Sequence, residues 1–187
     1  MRRQAHVKPL SDFVDELRAQ HPDYQLPDFD PCDGGIEARA LLLLEAPGPK
    51  AIASGFVSRN NPDPTARNLC ELLAEAGIAR RDTVIWNIVP WYVGEEARIR
   101  AVVSDDLRES APQLQPLLAL LPKLKHVVLV GKKAQTARSV IACLTPATIW
   151  ETHHFSAQVF NLAPHRKDEV RTVLKQLATG LDTPSEK

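Results

Sequence analysis

The amino-acid sequence predicts an α/β protein, a three-layer α/β/α sandwich around a central four-stranded parallel sheet. Three observations predict it. Short apolar runs, Ala40–Leu44 foremost, are unbroken in the way of strands buried on both faces. Segments with apolar residues at helical spacing alternate with them, the pattern of successive strand–helix–strand units. Each expected strand ends in a polar or turn-forming motif, and in such folds ligands bind beyond the carboxyl ends of the strands.

Residues 9–19 read as a short helix, with Phe13, Val14 and Leu17 at helical spacing. A wrapping loop follows, marked by Pro22, Pro27, Pro31 and Gly34-Gly35. Ala40–Leu44 is the first strand. Asp63-Pro64 is a helix cap with proline at the first helical position, and Leu69, Leu72 and Leu73 share a face of the helix that stops at Gly77. The second strand is expected at 83–89, closed by Pro90. A helical stretch at 105–121 carries Pro112 and Pro116, which should kink or split it. His126–Val130 is the third strand, ended by Gly131, with a helix at about 132–144. The fourth strand is expected at 148–155 and a last amphipathic helix at 166–178. The expectation is one domain over 1–187, with the helix and wrapping loop at about 8–36 and a polar tail after about 179.

Composition excludes several classes. The chain is 44% hydrophobic and 25% charged, as globular proteins are. No apolar run approaches the length that spans a membrane, and Met1-Arg2-Arg3 leads into polar residues, so neither a membrane anchor nor a leader is expected. Cys32, Cys70 and Cys143 form no C-x-x-C pair, which indicates a reducing, cytoplasmic setting with no disulfide framework and no zinc site. His153 and His154 are adjacent, so on a strand they point to opposite faces and do not make a metal pair. Net charge is zero but unevenly placed. Nine acidic residues between Asp12 and Glu45 face only Arg18 and Arg39, whereas seven basic residues between Lys132 and Lys175 face three acidic ones. That asymmetry can give a basic face to a neutral protein. Gly131-Lys132-Lys133 lacks the rest of a P-loop, and there is no G-x-G-x-x-G or G-x-S-x-G.

The chemistry-bearing residues sit at the strand ends. The first strand runs into Glu45-Ala46-Pro47-Gly48, the second ends near Asn87, and the fourth near His154-Phe155-Ser156. Glu45-Ala46-Pro47-Gly48 resembles the Gly-Glu-Ala-Pro-Gly first motif of the iron–sulfur-containing uracil-DNA glycosylases, with Leu44 in place of the leading glycine. Asn87 resembles the asparagine by which that superfamily reads uracil. His154-Phe155-Ser156 resembles its His-Pro-Ser second motif, with Phe155 for proline. Val128-Leu129-Val130-Gly131-Lys132-Lys133-Ala134 resembles its strand–glycine–helix connection. Order and spacing agree from about residue 41 to 177. The chain lacks the four cluster-binding cysteines of that class, Cys32 alone lying near a suitable position, so no cofactor is expected; it also lacks the aspartate that several other members place at Ala46.

The resemblance implies a monofunctional DNA glycosylase acting on uracil or another deaminated base in DNA, a partner that no membrane replaces, with the protein a monomer. A non-catalytic module that binds a modified or flipped base is the alternative. Physically, a glycosylase must flip the target out of the stack and expel it as an anion while the sugar becomes cationic. Asn87 offers one donor and one acceptor, matching uracil N3–H and O4; bonding to a neighbouring loop is its plain structural role. His154 would donate to the oxygen where charge develops, with His153 its rival. Glu45 would position water or face the cationic sugar. Ala46 and Gly48 would offer backbone N–H groups to the base, Phe56 would stack on it, and Ser156 completes the substrate-binding set. Gln158, Val159 and Phe160 are alternatives for a wedge into the vacated stack.

Overall fold

The computed structural model describes residues 4–95 and 98–182. In chain order the elements are α1 (Lys8–Gln20), β1 (Asp28–Phe29), β2 (Ala40–Leu44), α2 (Pro49–Ser54), β3 (Phe56–Val57), α3 (Pro64–Glu75), β4 (Thr83–Asn87), β5 (Gly94–Glu95) and β6 (Arg98–Ile99). They continue with α4 (Ser104–Ser110), α5 (Leu114–Ala119), β7 (His126–Val130), α6 (Lys132–Gln135), α7 (Arg138–Leu144), β8 (Thr148–Thr152), α8 (Ala157–Leu162) and α9 (His165–Asp182).

The central sheet has the order β4-β2-β7-β8, and all three pairings are parallel. Every residue of β2, β4 and β7 is buried, which is why these runs carry no polar alternation. Helices flank the sheet, so the expected α/β architecture is the one observed. β8 is an edge strand and only Thr152 in it is buried. The core collects Leu41, Leu42, Leu43, Ile85, Trp86 and Leu129, with Phe29 of β1 stacked on Trp86 at 3.8 Å between centroids.

Local chemistry sets the boundaries. Asp63 caps α3 by accepting from the Ala66 N–H at 2.9 Å, and Gly77 ends the helix with φ +74°. The helical stretch at 105–121 is split: α4 passes through a 3-10 turn at Ala111–Gln113 into α5, with Pro112 in the turn and Pro116 in the first turn of α5.

Four boundaries differ from the sequence expectation. The helix at 132–144 is two helices, parted where Thr136 turns its hydroxyl back onto the Lys133 carbonyl at 2.6 Å. β4 ends at Asn87 and not at 89. β8 ends at Thr152 and not at 155, because Gly131, with φ +85°, takes its partner strand away. The last helix runs through Asp182, so the tail expected after about 179 is helical there, and its remainder lies outside the described residues.

Candidate active site at the carboxyl edge of the sheet

The strand order makes β2 and β7 diverge in their onward connections, and the crevice of such a sheet opens where two neighbours do so. Leu44 pairs with Asn87, Leu43 with Leu129, and Val130 with Thr152. Glu45, Asn87, Gly131 and His153-His154 therefore all emerge at one edge of the sheet.

On β2 the chain leaves the sheet at Glu45, whose carbonyl accepts from the Val89 N–H at 3.0 Å while the Leu44 carbonyl takes Ile88 at 2.7 Å. These two bonds hold the Glu45 loop against the segment after Asn87. Among the described residues the Glu45 carboxylate has no hydrogen-bonding or ionic partner, and the N–H groups of Ala46 and Gly48 donate to no protein acceptor. Gly48 precedes Pro49 at the start of α2. Its φ of −83° is open to any residue, and a β-carbon there would meet nothing within 4 Å. Neither backbone nor packing requires glycine at 48.

Asn87 closes β4 with 3% exposure, and its Nδ2 has no hydrogen-bond partner. A buried amide donor left so costs about 1–3 kcal/mol. Phe56 is half-buried on β3, follows the left-handed Gly55, and its carbonyl accepts from Asn61 at 2.9 Å.

The two histidines part company. His153 is bound to Glu169 at 2.6 Å with its side chain 40% exposed. His154 lies over Gly131, where an added β-carbon would come within 3.2 Å of the His154 Cβ. Its Nδ1 accepts the Ser156 N–H at 3.2 Å, so the neutral ring carries its proton on Nε2. Burial pushes the His154 imidazole below the ordinary histidine range, while the Asp63 carboxylate pulls the other way. The ring is thus neutral and presents Nε2–H.

The remaining motif residues serve the backbone. Phe155 is fully buried, and its carbonyl accepts from Asn68 Nδ2 at 2.8 Å. The Ser156 hydroxyl caps α8 by accepting from the Val159 N–H at 3.3 Å, a part that sequence reading missed. Asn68, which holds the segment, was also missed, and Gly131, read from the sequence as the glycine of the strand–glycine–helix connection, was not read as clearing room for His154. Of the wedge alternatives, Phe160 is buried, Val159 packs on the core and Gln158 is exposed.

A cavity of about 440 Å³ opens beside His154, with Lys132 and Arg166 in its lining and the Thr152 hydroxyl unpartnered at 6% exposure. Arg138 and Arg171 are engaged in surface ion pairs with Glu151 and with Glu75 and Asp168. The three cysteines are exposed, and among the described residues no three His, Cys, Asp or Glu side chains gather as a metal site. Three cysteines do not supply the four thiolates of a four-cysteine iron–sulfur cluster. No helix among the described residues is long and apolar enough to cross a membrane.

Comparison with known proteins places this architecture. The solution NMR structure of a candidate uracil DNA glycosylase from Methanosarcina acetivorans is similar, with a TM-score of 0.51 and 16% identity over 75% of this chain and 92% of that one. That likeness is one of fold. No curated protein matches the sequence. The model of the uracil DNA glycosylase superfamily matches residues 31–178, a span that holds Glu45, Asn87 and His154 as well as the whole central sheet. The chain belongs to the uracil DNA glycosylase superfamily.

Proposed function

We propose that the protein is a monofunctional DNA glycosylase that hydrolyses the N-glycosidic bond of uracil, or of another deaminated base, in DNA. The observation that carries the reading is the Asn87 carboxamide, buried at the carboxyl end of β4 with its Nδ2 unpartnered. A flipped uracil supplies the missing acceptor through O4 and donates N3–H to Oδ1.

His154 then donates Nε2–H to O2. As the C1′–N1 bond breaks, its electron pair goes to the base, and the neutral donor stabilises the anion without having to give up a charge of its own. The free N–H groups of Ala46 and Gly48 are further donors to the base, and Phe56 stacks on its face. Glu45 holds the water whose oxygen bonds to C1′, the water proton leaving to the carboxylate or to solvent. No lysine adduct is needed, so base release leaves an abasic site in an uncut strand. Lys132 and Arg166 beside His154 are placed for the flanking phosphates, which makes DNA affinity fall as salt rises.

The test is release of uracil, cytosine, hypoxanthine and xanthine from otherwise identical single and double strands. Asn87→Asp has only acceptors when ionised; it should lose uracil release by at least about 10²-fold and gain weak release of cytosine, because a mismatched buried polar contact discriminates strongly. Wild-type uracil release by Asn87→Asp would make Asn87 a structural residue and end the recognition argument. A wild-type protein that binds lesion-bearing strands but releases no base from the panel would be the non-catalytic module.

A further inference from the structure

A second cavity, of about 220 Å³, lies between α1 and the α4–α5 segment, and none of the residues proposed for base excision lines it. We infer that it binds a guanidinium group, as presented by an arginine side chain. Phe13, Leu17 and Trp91 in its lining are buried and apolar, Glu16 and Glu109 supply two carboxylates, no lysine or arginine lines it, and the basic side chain there is His21, whose Nδ1 lies 3.5 Å from Glu109. Gln113 is 7% exposed and its Oε1 has no partner. Three acceptor groups over an apolar floor suit a ligand with several N–H donors on an aliphatic stem.

Size and rigidity agree. The cavity is smaller than the roughly 300 Å³ at which pockets for drug-sized ligands begin, and it suits one long side chain. Glu109 is held in place, because Tyr24 donates its hydroxyl to it at 3.0 Å while stacking on His21 at 5.2 Å and packing at a tilt against Trp91 at 4.8 Å. That bond pushes the Tyr24 phenol up from its ordinary range. Glu16 has no partner among the described residues. A planar guanidinium with five donors satisfies several acceptors together, whereas an ammonium offers three donors and holds its water more strongly.

The experiment is NMR titration of the full chain with N-acetyl-arginine amide, its lysine counterpart and the neutral isostere N-acetyl-citrulline amide, following the Trp91 indole and the Gln113 side-chain amide. The arginine derivative should shift both signals with affinity in the millimolar range. It should bind several-fold tighter than lysine, and citrulline should not bind. Glu16→Gln and Glu109→Gln, the latter keeping an acceptor for Tyr24, should each weaken binding at least about 5-fold and leave base release and the spectrum elsewhere unchanged. An arginine-bearing peptide that binds more tightly than the blocked amino acid assigns the site to a partner protein, and equal affinity assigns it to a small guanidino compound. Equal shifts from citrulline, or arginine shifts that survive both substitutions, would overturn the site.

Discussion

The Ser156 N–H donates to Nδ1 of His154 at 3.2 Å, and this bond leaves the imidazole proton on Nε2. A single backbone amide thereby selects the tautomer, and burial keeps the ring neutral. His154→Ala should slow base release by about 10²-fold or more, the scale of a lost oxyanion donor. His154→Asn, which keeps an N–H donor, should recover part of it. Glu45→Gln should also lose at least about 10²-fold while DNA affinity stays close to wild type. Single-turnover rates and binding isotherms separate these effects. A larger loss from His153→Ala than from His154→Ala would shift the assignment by one residue.

Gly131 has φ +85° and ψ 163°, a region essentially confined to glycine, and it lies under His154. Gly131→Ala should cost about 1–3 kcal/mol in backbone strain and displace the imidazole. Gly77→Ala is the control, since Gly77 also has positive φ but open space around it. Denaturant melts should show both variants destabilised, and kinetics should show only Gly131→Ala impaired beyond its stability loss. Equal activity in the two would dissociate Gly131 from the site.

Gly48→Ala isolates what the base requires of the loop after β2. The added methyl meets nothing in the free protein, so melting should match wild type within about 0.5 kcal/mol. Base release should nonetheless drop, because the methyl occupies the space through which a base approaches the backbone N–H. Unchanged kcat/KM would place the base elsewhere.

Asp33, buried among Arg59 and Arg80, gives stability an unusual pH dependence. Burial pushes its carboxyl up to about 6 against the pull of both guanidinium groups. Oδ1 accepts from Arg80 at 2.8 Å, and Oδ2 has no partner. A carboxyl raised above its unfolded value binds its proton more tightly when folded. Its favourable contribution is therefore complete below about pH 4 and is lost as pH rises through about 6, a fall of about 3 kcal/mol from this group. Urea melts of wild type and Asp33→Asn between pH 4 and 7 measure it: the stability difference should shift against wild type as pH rises. A difference that shifts the other way would mark Asp33 as an ordinary ion-paired carboxylate.

The fold was legible where one physical cause dominates. Ala40–Leu44 and His126–Val130 are buried on both faces and announce themselves as apolar runs, and Asp63-Pro64 is a cap whose chemistry is entirely local. α2 and α8 were not read, each being only six residues long, too short for a helical period to show. The placement of Asn87 and His154 at or just beyond strand ends was legible from motif order. What holds them was not. Gly131 lies 23 positions from His154, and Asn68 bonds the Phe155 carbonyl from 87 positions away. Such partnerships arise only when the sheet brings the segments together. Ser156 shows the converse, a motif residue whose hydroxyl has a plain local duty as a helix cap.

The exposed edge position of β8 separates the two halves of the proposed chemistry by mechanical security. Asn87 and Glu45 leave strands whose every residue is buried, whereas His154 leaves an edge strand in which only Thr152 is buried. Fraying of that outermost strand would carry the leaving-group donor away while the base reader stays folded. Amide protons of β8 should then exchange before those of β2 and β4. In mild denaturant the protein should pass through a range in which it still holds a flipped base and no longer cuts it free.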